Sequence, residues 1–221
     1  MGRIDGPGPG GPETEGSTAE RRRVVDALLS LCCERGFPNV TLPMLLERAD
    51  VDRAAFEREF ADLEDCFLQT YVGFRDDLMG RIARTVEREP TWRERIRAVA
   101  YTMVEYMEVD ELRTHFIVTE VRRAGERALL AMEEAFEEMF DLLDAGRGER
   151  DGGGPSRAIA EAVGGTIFLR MNAAFEEGSL EAVRAKIPEM MYMAVLPYLG
   201  PEAAEEELRA PVPPRAGGRL P

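Results

Sequence analysis

Three short helical runs, punctuated by residues suited to tight turns, open the ordered part of this chain and restrict its fold more than any other feature. Over 19–35 the apolar side chains Val24, Val25, Leu28, Leu29, Leu31 and Cys32 recur at helical spacing, and Gly36 follows as a stop signal. Thr41 is placed to cap a second helix to Ala49, with Pro43 tolerated in its first turn. Asp50 accepts the left-handed conformation of a turn. Asp52 then caps a third helix through Phe60, and Asp62 caps a longer fourth helix to about Glu87, with Glu64 and Asp65 near its positive end.

Beyond this segment strand signals are nearly absent, so an all-α fold is expected. Helices are predicted over about 91–107, 110–119, 123–144, 156–177 and 179–199, with Ala145–Pro155 as a surface loop. The segments 1–18 and 210–221 are rich in Gly and Pro and read as disordered. No apolar run is long enough to cross a membrane and no signal peptide is legible, so a cytoplasmic location is expected. The expected division is an arm over 1–18, a head over 19–62, a larger helical body over 63–200 and a tail over 201–221.

Two short helices joined by a tight turn, with a third helix behind them, make a helix-turn-helix, whose second short helix enters the DNA major groove. Here that helix is Asp52–Phe60, DRAAFEREF. Phe56 and Phe60 lie four apart and share a face suited to anchoring it, which leaves Arg53 and Arg58 free to reach guanine or phosphate. Those residues, together with ERGF at 34–37, Thr41 and LLERADV at 45–51, resemble the tetracycline-repressor (TetR) family of bacterial regulators, across about 50 residues of the head. The layout of the remaining helices resembles that family too, as does the segment AVLPYLGPEAA.

The resemblance implies a homodimer that binds a palindromic double-stranded operator and leaves it when a small effector enters the body. Candidate DNA contacts are then Arg53, Ala54 and Arg58, with Thr41, Arg21, Arg22 and Arg23 at the backbone. The sequence departs from the family at Asp52, Glu57, Glu59 and Leu63, where a small hydroxyl residue, Tyr, His or Tyr, and Lys are usual. Residues 19–75 carry 8 Arg against 11 Asp and Glu, and the whole chain has a net charge of −14. Carboxylates facing phosphate weaken binding, so the alternative is a ligand- or partner-binding protein of the same fold whose acidic head has lost DNA.

Methionines and aromatics mark an expected effector pocket. Met103, Met107, His115, Phe116, Met132, Phe136, Phe168, Met171 and Asn172 are its candidate lining. His115 alternatively has a surface or capping role, and Asn172, a polar residue in an apolar helix, needs a partner. Gly165, Ile187, Met191 and Val195 are expected at a dimer interface, although a stripe of this kind also suits an intramolecular core. The three cysteines show no zinc spacing and read as buried apolar residues or, alternatively, a redox switch. No nucleophile elbow, Gly-rich phosphate loop or metal box is present, so neither an enzyme nor a bound cofactor is expected.

Overall fold

The computed structural model describes residues 12–149, 154–176 and 180–212, and among these every regular element is helical. The head contains α1 (Pro12–Arg35), α2 (Leu42–Ala49) and α3 (Arg53–Glu59). The body contains α4 (Leu63–Val86), α5 (Trp92–Glu108), α6 (Glu111–Val118), α7 (Glu126–Asp144), α8 (Arg157–Glu176), α9 (Leu180–Leu199) and α10 (Pro201–Arg209).

Local chemistry sets the head's boundaries. Gly36 takes φ +74°, a conformation unsuited to L side chains, while its N–H donates to the Cys32 carbonyl at 2.8 Å. Asp50 adopts the left-handed turn at φ 51°. The Asp52 carboxylate accepts the Ala55 N–H at 2.7 Å, and Asp62 does the same for Asp65 at 2.7 Å. Thr41 stands at the start of α2 in extended conformation, but its side chain makes no capping bond.

Two expectations are corrected. α1 starts at Pro12, inside the segment read as a disordered arm; residues 1–11 lie outside the described part. Its early turns have something to pack against: the Ser17 hydroxyl donates to Glu59 of α3. The segment after Leu199 likewise forms α10, docked on α5 through buried Glu207, which accepts from Arg97 at 2.5 and 2.9 Å and also bonds Arg93. Pro201, the first residue of the expected tail, is a good residue for starting a helix. The expected loop after α7 begins as a 3-10 turn, Ala145–Glu149, with Gly146 buried beneath Trp92; a Cβ there would lie 2.4 Å from the indole.

The interior falls into two clusters. One joins the head to the first half of α4, to Phe116 of α6 and to the start of α7. The other is built from α5, α8, α9 and α10. Cys32 and Cys66 are buried in the first, and burial pushes the Cys66 thiol up to about 12 and Cys32 further, as expected for packing groups; Cys33 is exposed.

Candidate functional site

The third helix presents one face outward. Arg53, Ala54, Glu57 and Arg58 are exposed, while Ala55, Phe56 and the following Phe60 are buried. The two phenylalanine rings lie 5.2 Å apart and hold the helix on α1. Each outward arginine has an acidic neighbour. Arg53 pairs with Glu57 at 3.0 Å and Arg58 with Glu20 of α1 at 3.0 Å. Both arginine side chains are at least 60% exposed, so these pairs are worth about 1 kcal/mol or less and exchange readily for phosphate.

The Arg21–Arg23 cluster divides. Arg21 is turned inward: it pairs with Glu59 at 3.2 Å, donates to Gln69 at 3.0 Å and lies 4.7 Å over the Phe60 ring. Bonds from the Ser17 hydroxyl and Arg21 hold the Glu59 carboxyl below its usual range, against the upward push of partial burial. Arg23 donates to the Ala49 and Asp50 carbonyls at 3.2 Å each, bracing the turn before α3. Arg22 faces solvent at 84% exposure, with Asp26 at 3.9 Å. Thr41 is exposed. Arg21, expected at the DNA backbone, is thus a strut of the head, because Glu59 and Phe60 offer it a closer site than solvent.

A buried carboxylate also ties this head to the body. Glu120, in the 3-10 turn Glu120–Arg123 after α6, is wholly buried. Its Oε2 accepts the Phe37 N–H at 2.6 Å, and its Oε1 accepts from Arg123 at 2.9 Å. His115 Nε2 lies 3.3 Å from the same Oε1. His115 is therefore placed at this clasp and outside the cavities described below, contrary to its candidacy as a pocket residue. Phe116 is corrected too: it is fully buried between Phe67 and Phe74, at 4.3 and 6.2 Å, because that side of α6 faces α4.

The other side of α6 meets open space. Ile117 and Val118 line a cavity of about 120 Å³ between α4, α5, α7 and α8. A second cavity, of about 100 Å³, lies toward α9 and the end of α7. Met103, Phe136, Met139, Phe168, Met171 and Val183 border both, so flexible methionines and two rings form the partition. Of the candidate lining residues, Met107, Met132 and Asn172 border the first cavity only. Sequence reasoning missed Tyr71, Arg75 and Met79 on α4; Met79 at least carried the same signal as the methionines it singled out. Burial pushes the Tyr71 hydroxyl up to about 12, so it stays protonated at neutral pH.

The expected dimer stripe on α9 is also corrected. Ile187, Met191 and Val195 are 2% exposed or less within one chain and pack in the second cluster. α9 is covered by α5 on one side and bonded in series to α10, so this stripe is interior. Gly164 likewise serves an internal contact, since a Cβ would come within 2.6 Å of the Phe140 ring. Gly165 instead faces open space on the outer side of α8, the helix that also carries Leu169 at 66% exposure; Leu196 of α9 is 37% exposed.

No protein-family model matches the sequence, and no curated protein matches it. Solved structures do. The transcriptional regulator FadR from Bacillus subtilis, in complex with stearoyl-CoA, superposes with a TM-score of 0.66 at 14% identity, over 79% of this chain and 97% of that one. SmeT, the repressor of the Stenotrophomonas maltophilia multidrug efflux pump SmeDEF, gives 0.67 at 21% identity, over 82% and 91%. A TetR-family transcriptional regulator from Streptomyces coelicolor gives 0.61 at 17% identity, over 91% and 96%. With helices in every regular element, a helix-turn-helix head and a hollow helical body, this chain has the all-α fold of the TetR-family transcriptional regulators.

Proposed function

We propose that the protein is a dimeric, effector-responsive transcriptional repressor, acting in the cytoplasm without a cofactor. The observation that carries this reading is the construction of α6. Ile117 and Val118 form part of the cavity wall, and Glu120, two residues on, grips the head at Phe37. An effector that displaces this wall shifts the clasp, and with it the direction in which α3 points. DNA and effector then favour different head positions, and each weakens the other's binding.

Arg53, Ala54 and Arg58 meet the groove, with Arg22 and Thr41 at the backbone. The outer faces of α8 and α9, with Gly165, Leu169 and Leu196, meet the second copy. The reported relatives lend precedent for both halves of the reading: one is a regulator solved with stearoyl-CoA and one a repressor of an efflux pump.

The test is fluorescence anisotropy with the DNA upstream of the protein's own gene, at low salt. Binding that one dimer saturates and that Arg53→Ala abolishes supports the reading; no binding by the wild-type protein removes it. The second reading, a ligand-binding protein that no longer holds DNA, is favoured by the pairing of Arg53 with Glu57 and of Arg58 with Glu20. Binding recovered by Glu57→Gln/Glu20→Gln alone, with none in the wild type, identifies that case.

A further inference from the structure

Asn172 is 6% exposed and its Nδ2 is buried without a hydrogen-bond partner, at the edge of the larger cavity. An amide N–H left unsatisfied in an apolar interior costs on the order of 1–3 kcal/mol, so a molecule that supplies an acceptor there gains what the empty protein forgoes. The charged group nearest in kind is Arg75, which lines the same cavity. Its guanidinium is already engaged, by Asp76 at 3.0 Å and by Glu134 at 3.1 Å, so two carboxylates oppose one cation. An anionic head group entering the cavity would meet no free counter-charge and would lose its hydration.

The rest of the space favours hydrocarbon. The partition of methionines and phenylalanines separates this cavity from the smaller one, whose lining, from Ile96 and Val99 to Gly164 and Ala194, is apolar throughout. Methionine side chains reorient at little cost, so the two spaces can join into one elongated chamber.

We infer that the effector is an uncharged, elongated apolar molecule carrying one hydrogen-bond acceptor, such as a ketone or ester oxygen, which takes the Nδ2–H of Asn172 while its chain extends past Met103 and Met171 toward α9. This rests on the ligand-chamber reading above and narrows it to neutral amphiphiles, setting aside fatty carboxylates.

The test displaces the fluorescent probe N-phenyl-1-naphthylamine from the full-length protein with three competitors of matched chain length: 2-undecanone, undecanoate and undecane. The ketone is expected to bind about tenfold more tightly than the alkane, in line with one buried hydrogen bond gained, and more tightly than the carboxylate at pH 7.5. Asn172→Leu, which replaces an amide whose Nδ2 lacks a partner by an apolar group of similar size, removes the advantage of the ketone over undecane. Equal binding of ketone and alkane by the wild type, or undecanoate binding as well as the ketone, overturns the inference and leaves the chamber standing. Failure of all three to displace a probe that does bind overturns the chamber reading together with it.

Discussion

Where the head meets the body, Phe37, Phe67 and Phe116 form a tilted row with centroids 4.5 and 4.3 Å apart; deeper in the body, Met103, Met139 and Met171 stand around empty space. Both interiors are apolar, yet they use different side chains. Rings with few rotamers define one arrangement, which suits a segment that must present α3 in a fixed pose. Unbranched thioethers accept many arrangements, which suits a segment that must fit an incoming molecule. The polar groups follow the same division. Arg21, Arg53 and Arg58 of the head are matched by carboxylates, whereas the body keeps an amide donor unmatched inside.

The contrast can be broken most strongly at the row of rings. Phe67→Ala should cost about 4 kcal/mol of stability, read by chemical denaturation, because Phe67 is wholly buried and its loss opens a cavity. A loss below about 1.5 kcal/mol would show that the head repacks as the body does. At the junction, Glu120→Leu leaves the Phe37 N–H and the Arg123 guanidinium without their acceptor, and should cost about 3 kcal/mol. It should also make head fluctuations, followed by amide exchange at Phe37, insensitive to anything bound in the body.

Acid tests the body's own charged anchor. Desolvation pushes Glu207 up, but its bonds to Arg97 and Arg93 outweigh this and hold the carboxyl below its ordinary value of 4.5. A lowered folded-state value stabilises above the unfolded one, and that stabilisation disappears as pH falls through the folded value. Lowering the pH below about 4.5 should therefore free α10 before the helical core melts. The emission of Trp92, the chain's single tryptophan and a core neighbour of α10, should shift to the red, and Glu207→Gln should show the shift already at neutral pH. The smallest effect is expected at the partition. Met103→Leu should change stability by less than about 1.5 kcal/mol, as a volume-conserving swap, while altering which chain lengths displace the fluorescent probe.

What the sequence disclosed follows from the range of the interactions involved. Gly36, Asp50, Asp52 and Asp62 act on backbone within a few residues, so their effect can be predicted without knowing what packs against them, and the end of α1, α2 and α3 fall where they are expected, while the start of α1 does not. Met103, Met107, Met132 and Met171 were legible from residue type together with the helix layout that the family resemblance implies. Ile187, Met191 and Val195 were not, because α8 and α9 are apolar on more than one side. Only the presence of α5 and α10 decides which side is interior. Glu120 left no local trace: its partner lies 83 residues away, and an acid after Ile117-Val118-Thr119 looks like an ordinary helix end. His115 and Phe116 were assigned to the pocket for the same reason, since a short helix between two compartments presents residues to each.

The Glu120 clasp also bears on how this protein can be taken apart. A fragment cut after α4 would contain every residue of the helix-turn-helix and still lack Phe116, Val121 and Ala124 from its core, besides the acceptor for Phe37. The head is thus no cassette. Grafting its specificity onto another scaffold would require carrying α6 and the turn after it, and a chimera joined at the linking helix alone would inherit a reader with an open flank.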